Sequence, residues 1–163
     1  YYFNMSKGGG KNASGRTVFK YNDNMTRAEL VTMLYRFVGE PSVAGYTNSF
    51  TDVKDKSAYY YNAVLWASHE GVVKGTGNKF NPSGKVTREQ IAAILWRYGG
   101  QKSSSKSLYS FTDYSKVSTY AETAMRWAVE NGYVKGANGY LNPQGNATRA
   151  EVAVMLHRFL TRL

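Results

Sequence analysis

The chain repeats itself with a period of 61 residues, and that period limits what it can fold into. Thr26-Arg27, Thr87-Arg88 and Thr148-Arg149 recur at this spacing, as do Leu34, Leu95 and Leu156, Arg36, Arg97 and Arg158, and Phe37, Tyr98 and Phe159. Between the second and third copies the same step carries Phe50-Thr51-Asp52 onto Phe111-Thr112-Asp113 and Trp66-Ala67 onto Trp127-Ala128. It also carries Gly71 and Gly75 onto Gly132 and Gly136, and Asn81-Pro82 onto Asn142-Pro143. A period kept this far without insertions means one supersecondary unit used three times. The copies run 1–45 (partial), 46–106 and 107–163, within a single domain of ordinary size.

Local patterning says what the unit is made of. Phe50-Thr51-Asp52-Val53 reads as a short extended or turn segment. Residues 58–70 read as a helix, with Ala63, Trp66 and Ala67 on one face and Gly71 as its stop. Val72-Val73-Lys74-Gly75 is a short extended piece, and Phe80-Asn81-Pro82-Ser83-Gly84 a turn. A second helix then opens at Thr87 and runs to about Tyr98. Thr26-Arg27-Ala28-Glu29, Thr87-Arg88-Glu89-Gln90 and Thr148-Arg149-Ala150-Glu151 each carry the capping-box pattern, in which Thr and Glu or Gln satisfy each other's backbone N–H. Behind them lie Leu30, Met33, Leu34, Phe37; Ile91, Ile94, Leu95, Tyr98; and Val152, Met155, Leu156, Phe159. Each stripe wants one buried face. Three equivalent helices are most simply buried against one another, so the expected fold is mainly α: three helical repeats in a pseudo-threefold spindle around a central three-helix bundle.

Composition narrows function by exclusion. The chain has no cysteine, hence no disulfide, thiolate metal site or thiol nucleophile. His69 and His157 stand at non-equivalent places without metal-ligand spacing, and no Gly-x-Ser-x-Gly, His-Glu-x-x-His or P-loop occurs. Neither a catalytic residue, a metal nor a cofactor is expected. No apolar run approaches the ~20 residues of a membrane span. The formal net charge of +10 suggests an anionic partner, since the arginines recur at one place in the repeat, although a basic surface also serves solubility. Nucleic acid is a rival partner for a basic chain with fourteen tyrosines; it would show steep salt dependence.

Phe-Thr-Asp-Val, an aromatic, Ala-Val-x-Trp-Ala, Gly-Val-Val-Lys-Gly, Phe-Asn-Pro and Thr-Arg-Ala-Glu, in that order, resemble the S-layer homology (SLH) module. The resemblance covers copies two and three and the latter half of copy one. It implies a three-repeat spindle whose inter-repeat grooves bind secondary cell wall polymers, an acidic ketal-linked pyruvate on N-acetylmannosamine among them. It implies a module without enzymatic activity, which anchors surface proteins non-covalently outside the cell, in the cell wall and S-layer. The alternative within this reading is an assembly module of a surface lattice or filament, with other surface-layer subunits as partners. The family often has Trp where this chain has Tyr59 and Tyr120, and copy two departs from Thr-Arg-Ala-Glu. The extra carboxylate of Glu89, beside Arg88, is expected to weaken anion binding there.

Nine residues are the candidate ligand contacts. Arg27, Arg88 and Arg149 sit in the first turn of a helix, where exposed N–H groups and the dipole favour an anion. A cation placed there mildly destabilises the helix, and a planar guanidinium matches a carboxylate; the other reading pairs them with Asp52 or Asp113 as scaffold. Asp52 and Asp113 accept from sugar hydroxyls or cap a turn. Tyr59 and Tyr120 stack on a sugar or pack in a core. Gly75 and Gly136 admit a ligand or supply a positive φ. Trp66 and Trp127 are assigned to the core, and Glu29, Gln90 and Glu151 to caps first. Copy one lacks its Phe-Thr-Asp segment. Because the chain opens at Tyr1, where the period places a helix, the parent protein is expected to continue upstream. An aromatic-x-Asp segment would lie roughly a dozen residues before Tyr1, with a larger surface domain beyond.

Overall fold

The structure, a computed structural model, describes residues 20–162. The expected helix remnant at Tyr1–Met5, the loop Lys7–Gly15 and the Phe19 position fall outside them. The described residues form two compact units: residues 20–85 with Thr148–Ala150, and residues 86–147 with 151–162. Five α-helices and no strands occur among the described residues, so the protein is mainly α, as the periodicity implies.

In the first unit, α1 (Arg27–Phe37) packs on α2 (Tyr61–His69). Thr26 is extended, its hydroxyl accepts from the Glu29 N–H at 3.1 Å, and Glu29 Oε1 accepts from the Thr26 N–H at 3.1 Å. Gly39 then takes φ +88°, the left-handed turn that ends a helix. Leu30, Met33 and Leu34 are buried, and Phe37 half-buried. α2 buries Ala63 to Ala67, Trp66 included, as expected for core. The helix begins three residues later than the sequence reading, and Tyr60 supplies no side-chain cap.

In the second unit, α3 (Arg88–Tyr98) packs on α4 (Glu122–Glu130) and on the 3₁₀ turn Thr119–Ala121 just before it. Thr87 and Gln90 form the second capping box. An aromatic cluster gathers around Phe159 of α5 (Arg149–Leu160), which is fully buried. Trp127, Tyr133 and Tyr98 surround it at ring separations of 6.0, 5.4 and 6.0 Å.

Each of the helices α1, α3 and α5 begins on a turn from a different copy. The Arg27 and Ala28 N–H groups donate to the carbonyls of Gly84 and Pro82 at 2.8 and 3.0 Å. Those of Arg88 and Glu89 donate to Gly145 and Pro143 at 3.1 and 2.9 Å. Those of Arg149 and Ala150 donate to Asp23 and Tyr21 at 2.9 and 3.2 Å. Single β-bridges accompany them: Thr26 with Lys85, Thr87 with Asn146, and Asn24 with Thr148. The turns are therefore structural partners of the helices, and the Asn-Pro pairs punctuate them for that reason.

Gly75 and Gly136 hold φ values of +68° and +71°, and space around them is also short. A Cβ on Gly75 would lie 2.5 Å from the Lys79 carbonyl oxygen and 2.6 Å from the Phe50 ring. Strain and clash therefore add at Gly75, whereas at Gly39 (φ +88°) a Cβ meets nothing within 4 Å. Gly75→Ala is expected to cost about 2–3 kcal/mol, roughly 5–10 °C in melting temperature, and Gly39→Ala about 1 kcal/mol. Thermal unfolding followed by circular dichroism checks the difference.

Candidate functional site

The helix-start N–H groups are largely taken by the protein itself. The first three of α1 and of α3 are all spent: two on the turn carbonyls and the third on Thr26 or Thr87 Oγ. In α5 the first two are spent likewise. The expectation of exposed amides awaiting an anion is thereby corrected; any anion recognition here falls to side chains.

The arginines differ among themselves. Arg149 is only 8% exposed, and its Nη1 donates to Glu29 Oε2. Glu29 thus serves twice, one oxygen closing the α1 capping box and the other holding Arg149. Arg88 Nη2 donates to Glu151 Oε2 in the second unit. Its guanidinium also rests against Gly145, where a Cβ would stand 2.6 Å from Nη1. Arg27 lies over the Phe80 ring, 5.0 Å from its centroid, with Nε donating to the Phe80 carbonyl at 2.9 Å. The scaffold reading had named Asp52 and Asp113 as partners; the carboxylates observed on Arg149 and Arg88 come from the capping-box position instead. A Glu at the capping-box position has a second oxygen for a partner, although the sequence does not name which.

Asp52 and Asp113 clamp turns. Asp52 accepts from the N–H groups of Phe80 and Asn81 at 2.9 and 2.7 Å. Asp113, buried, accepts from Leu141 and Asn142, both at 2.8 Å. Burial pushes the Asp52 pKa up, but the two backbone N–H groups outweigh it and the net shift is downward. The turns they hold are the same turns that cap the helix starts.

Tyr59 is the sequence-predicted residue that the structure brings to an arginine in the first unit. It keeps 59% of its surface exposed. Desolvation at its hydroxyl and the Glu29 carboxylate raise its pKa, while a hydrogen bond with Thr26 and the Arg149 charge pull the other way. Tyr59 is thus linked through Thr26 to Glu29, which in turn holds Arg149, and the four residues form one network in the first unit. Tyr120 is 52% exposed and meets different company: its hydroxyl is 3.5 Å from Glu89 Oε1. Glu89, expected from its place beside Arg88 to weaken anion binding there, turns its carboxylate to Ser118, from which both oxygens accept. Gly75 and Gly136 lie against the Phe50 and Phe111 rings.

A family model for the S-layer homology domain matches residues 49–92 and 110–153, more than half of the chain. The chain belongs to the S-layer homology domain family. SLH domains are binding and anchoring modules of the cell surface, and this chain has that setting. It is 31% identical to an amylopullulanase of Thermoanaerobacterium thermosulfurigenes over 151 residues, covering 90% of this chain but 8% of that protein. It is 34% identical to a surface-layer 125 kDa protein of Lysinibacillus sphaericus over 142 residues, covering 82% of this chain and 12% of that protein. Among solved structures, an undecaheme cytochrome from the S-layer of Carboxydothermus ferrireducens shares the fold, with a TM-score of 0.50 and 21% identity over 99% of this chain and 20% of its own. The SLH chain thus spans a small part of each protein it resembles.

Asp52 gives a pH signature. Its folded pKa is depressed, so its stabilisation is present above the unfolded value of about 4 and lost as pH falls through the folded value. Asp52→Asn should cost roughly 1–2 kcal/mol at pH 7. The difference from wild type should shrink between about pH 4 and pH 2. Urea unfolding across that range reads it directly.

Proposed function

We propose that this chain anchors its parent protein to the cell wall without covalent linkage, by binding an acidic secondary cell wall polysaccharide through its arginine-bearing helix starts. The cluster of Tyr59 with Arg149 and Glu29 carries this reading: an exposed ring face suits a sugar, and the guanidinium beside it suits a carboxylate. A guanidinium has five N–H donors, so the bond to Glu29 leaves capacity for a second acceptor. A ketal-linked pyruvate on N-acetylmannosamine has the required pairing of sugar face and carboxylate. Arg27 and Arg88 take the same part at the other helix starts. Asp52, Asp113, Gly75 and Gly136 shape the turns beside them.

The same reading arranges the three copies, 1–45, 46–106 and 107–163, as one domain: a pseudo-threefold spindle with α1, α3 and α5 at its centre. The cyclic order of the helix-start bonds supports it, since the first copy rests on the second, the second on the third and the third on the first. Catalysis has no place in this reading of the segment, and neither does a cofactor.

Sedimentation with purified cell-wall sacculi, before and after chemical removal of the secondary polymer, tests the proposal. Retention should fall severalfold on stripped sacculi; equal retention would transfer the binding to peptidoglycan or to a protein partner. Arg149→Ala should weaken binding of the purified polysaccharide about 10- to 100-fold, the worth of one charge-assisted hydrogen bond. Calorimetry giving an unchanged affinity would leave Arg149 as scaffold alone.

A further inference from the structure

The second unit carries a carboxylate of its own where two donors converge. Glu89 is 4% exposed, and both of its oxygens are engaged by Ser118. The Ser118 N–H donates to Oε2 at 2.9 Å and the Ser118 hydroxyl to Oε1 at 2.6 Å, with the Tyr120 hydroxyl 3.5 Å from Oε1. Gln144 Nε2 closes the other side, donating to the Lys116 carbonyl at 3.1 Å and reaching Ser118 Oγ at 3.4 Å. Paired N–H and O–H donors beside an exposed tyrosine make a receptor for an acid.

The period supplies an internal control. One step back, Ser118, Tyr120, Lys116 and Glu89 become Ser57, Tyr59, Asp55 and Ala28. In the first unit the Ser57 N–H and hydroxyl also hold a carboxylate, at 2.9 and 2.6 Å, but it is that of the exposed, local Asp55. Ala28, buried, stands there in place of the glutamate, and the third copy has alanine as well, at Ala150. Where Asp55 has become Lys116, the carboxylate comes instead from the helix, at the one copy that departs from alanine. A glutamate between Arg88 and Gln90 is therefore aimed at Ser118, with its charge withdrawn from solvent.

We infer that Glu89 is a resident carboxylate filling the acid-binding position of the second unit, so that an acidic sugar is accepted beside Tyr59 and Arg149 and refused beside Ser118 and Tyr120. This rests on the polysaccharide reading above and adds a selection between the units to it. A buried, doubly bonded carboxylate is displaced only by leaving a charge unpaired, whereas Asp55 need only rotate into water. A chain with several equivalent repeats thereby presents sites of unequal competence.

The test is calorimetric titration of the chain with N-acetylmannosamine bearing a ketal-linked pyruvate, and with the same sugar lacking it. Three proteins are compared: wild type, Glu89→Ala, and the double variant Ala28→Glu with Asp55→Lys, which writes the second unit's arrangement into the first. Glu89→Ala should bind one further equivalent of the pyruvylated sugar, and the double variant one fewer than wild type, with neither change for the sugar lacking pyruvate. Unchanged stoichiometry and affinity in Glu89→Ala would overturn the inference while wild-type binding stands. If that variant fails to fold, undiminished binding by the folded double variant overturns it equally. Wild type that ignores the pyruvylated sugar would instead remove the polysaccharide reading itself.

Discussion

The backbone bond from the first N–H of a helix to a carbonyl in another copy's turn is the interaction on which the remainder depends. A helix start has N–H groups without intrahelical partners, and a capping threonine satisfies only one of them. Here Gly84 and Pro82, Gly145 and Pro143, and Asp23 and Tyr21 supply the others. Asp52 and Asp113 then brace two of those turns from behind, through their own bonds to the backbone. A single copy would leave its helix starts wet, which gives the period a thermodynamic reason to recur.

Spending the amides in this way determines what the arginines do. With the N–H groups committed, the positive end of the helix is shielded, and the proposed charge recognition rests on the guanidinium groups that follow the caps. Arg149 and Arg88 sit against the carboxylates of Glu29 and Glu151, which hold the forks in one geometry. Such a pair contributes modestly to stability when part-exposed. Its value for recognition is pre-organisation: an arriving carboxylate meets an ordered fork and pays less ordering entropy. In the proposed binding, the cost is competition: an acidic sugar would share the guanidinium with Glu29.

Much of this was legible in the residues, because much of it is local. The two capping boxes, the glycine stop at Gly71 and the burial of Trp66 and Trp127 follow from spacings of four residues or fewer, or from a single residue type. Arg149 with Glu29 and Arg88 with Glu151 join residues 120 and 63 positions apart, so no local pattern names them. Glu89 shows the limit most clearly. Its neighbour in sequence is Arg88, yet successive residues of a helix point about 100° apart, and its side chain reaches Ser118 instead. Asp52 and Asp113 were left open between sugar and turn; the geometry commits both of their oxygens to the backbone.

Amide hydrogen exchange at the helix starts tests the central claim most directly. The account predicts slow exchange at Arg27, Ala28, Arg88, Glu89, Arg149 and Ala150 in the protein alone, with protection essentially unchanged when an acidic wall polysaccharide is added. Rapid exchange at these amides in the free protein, becoming protected only with the polysaccharide present, would contradict it and restore the helix N–H groups as the anion site.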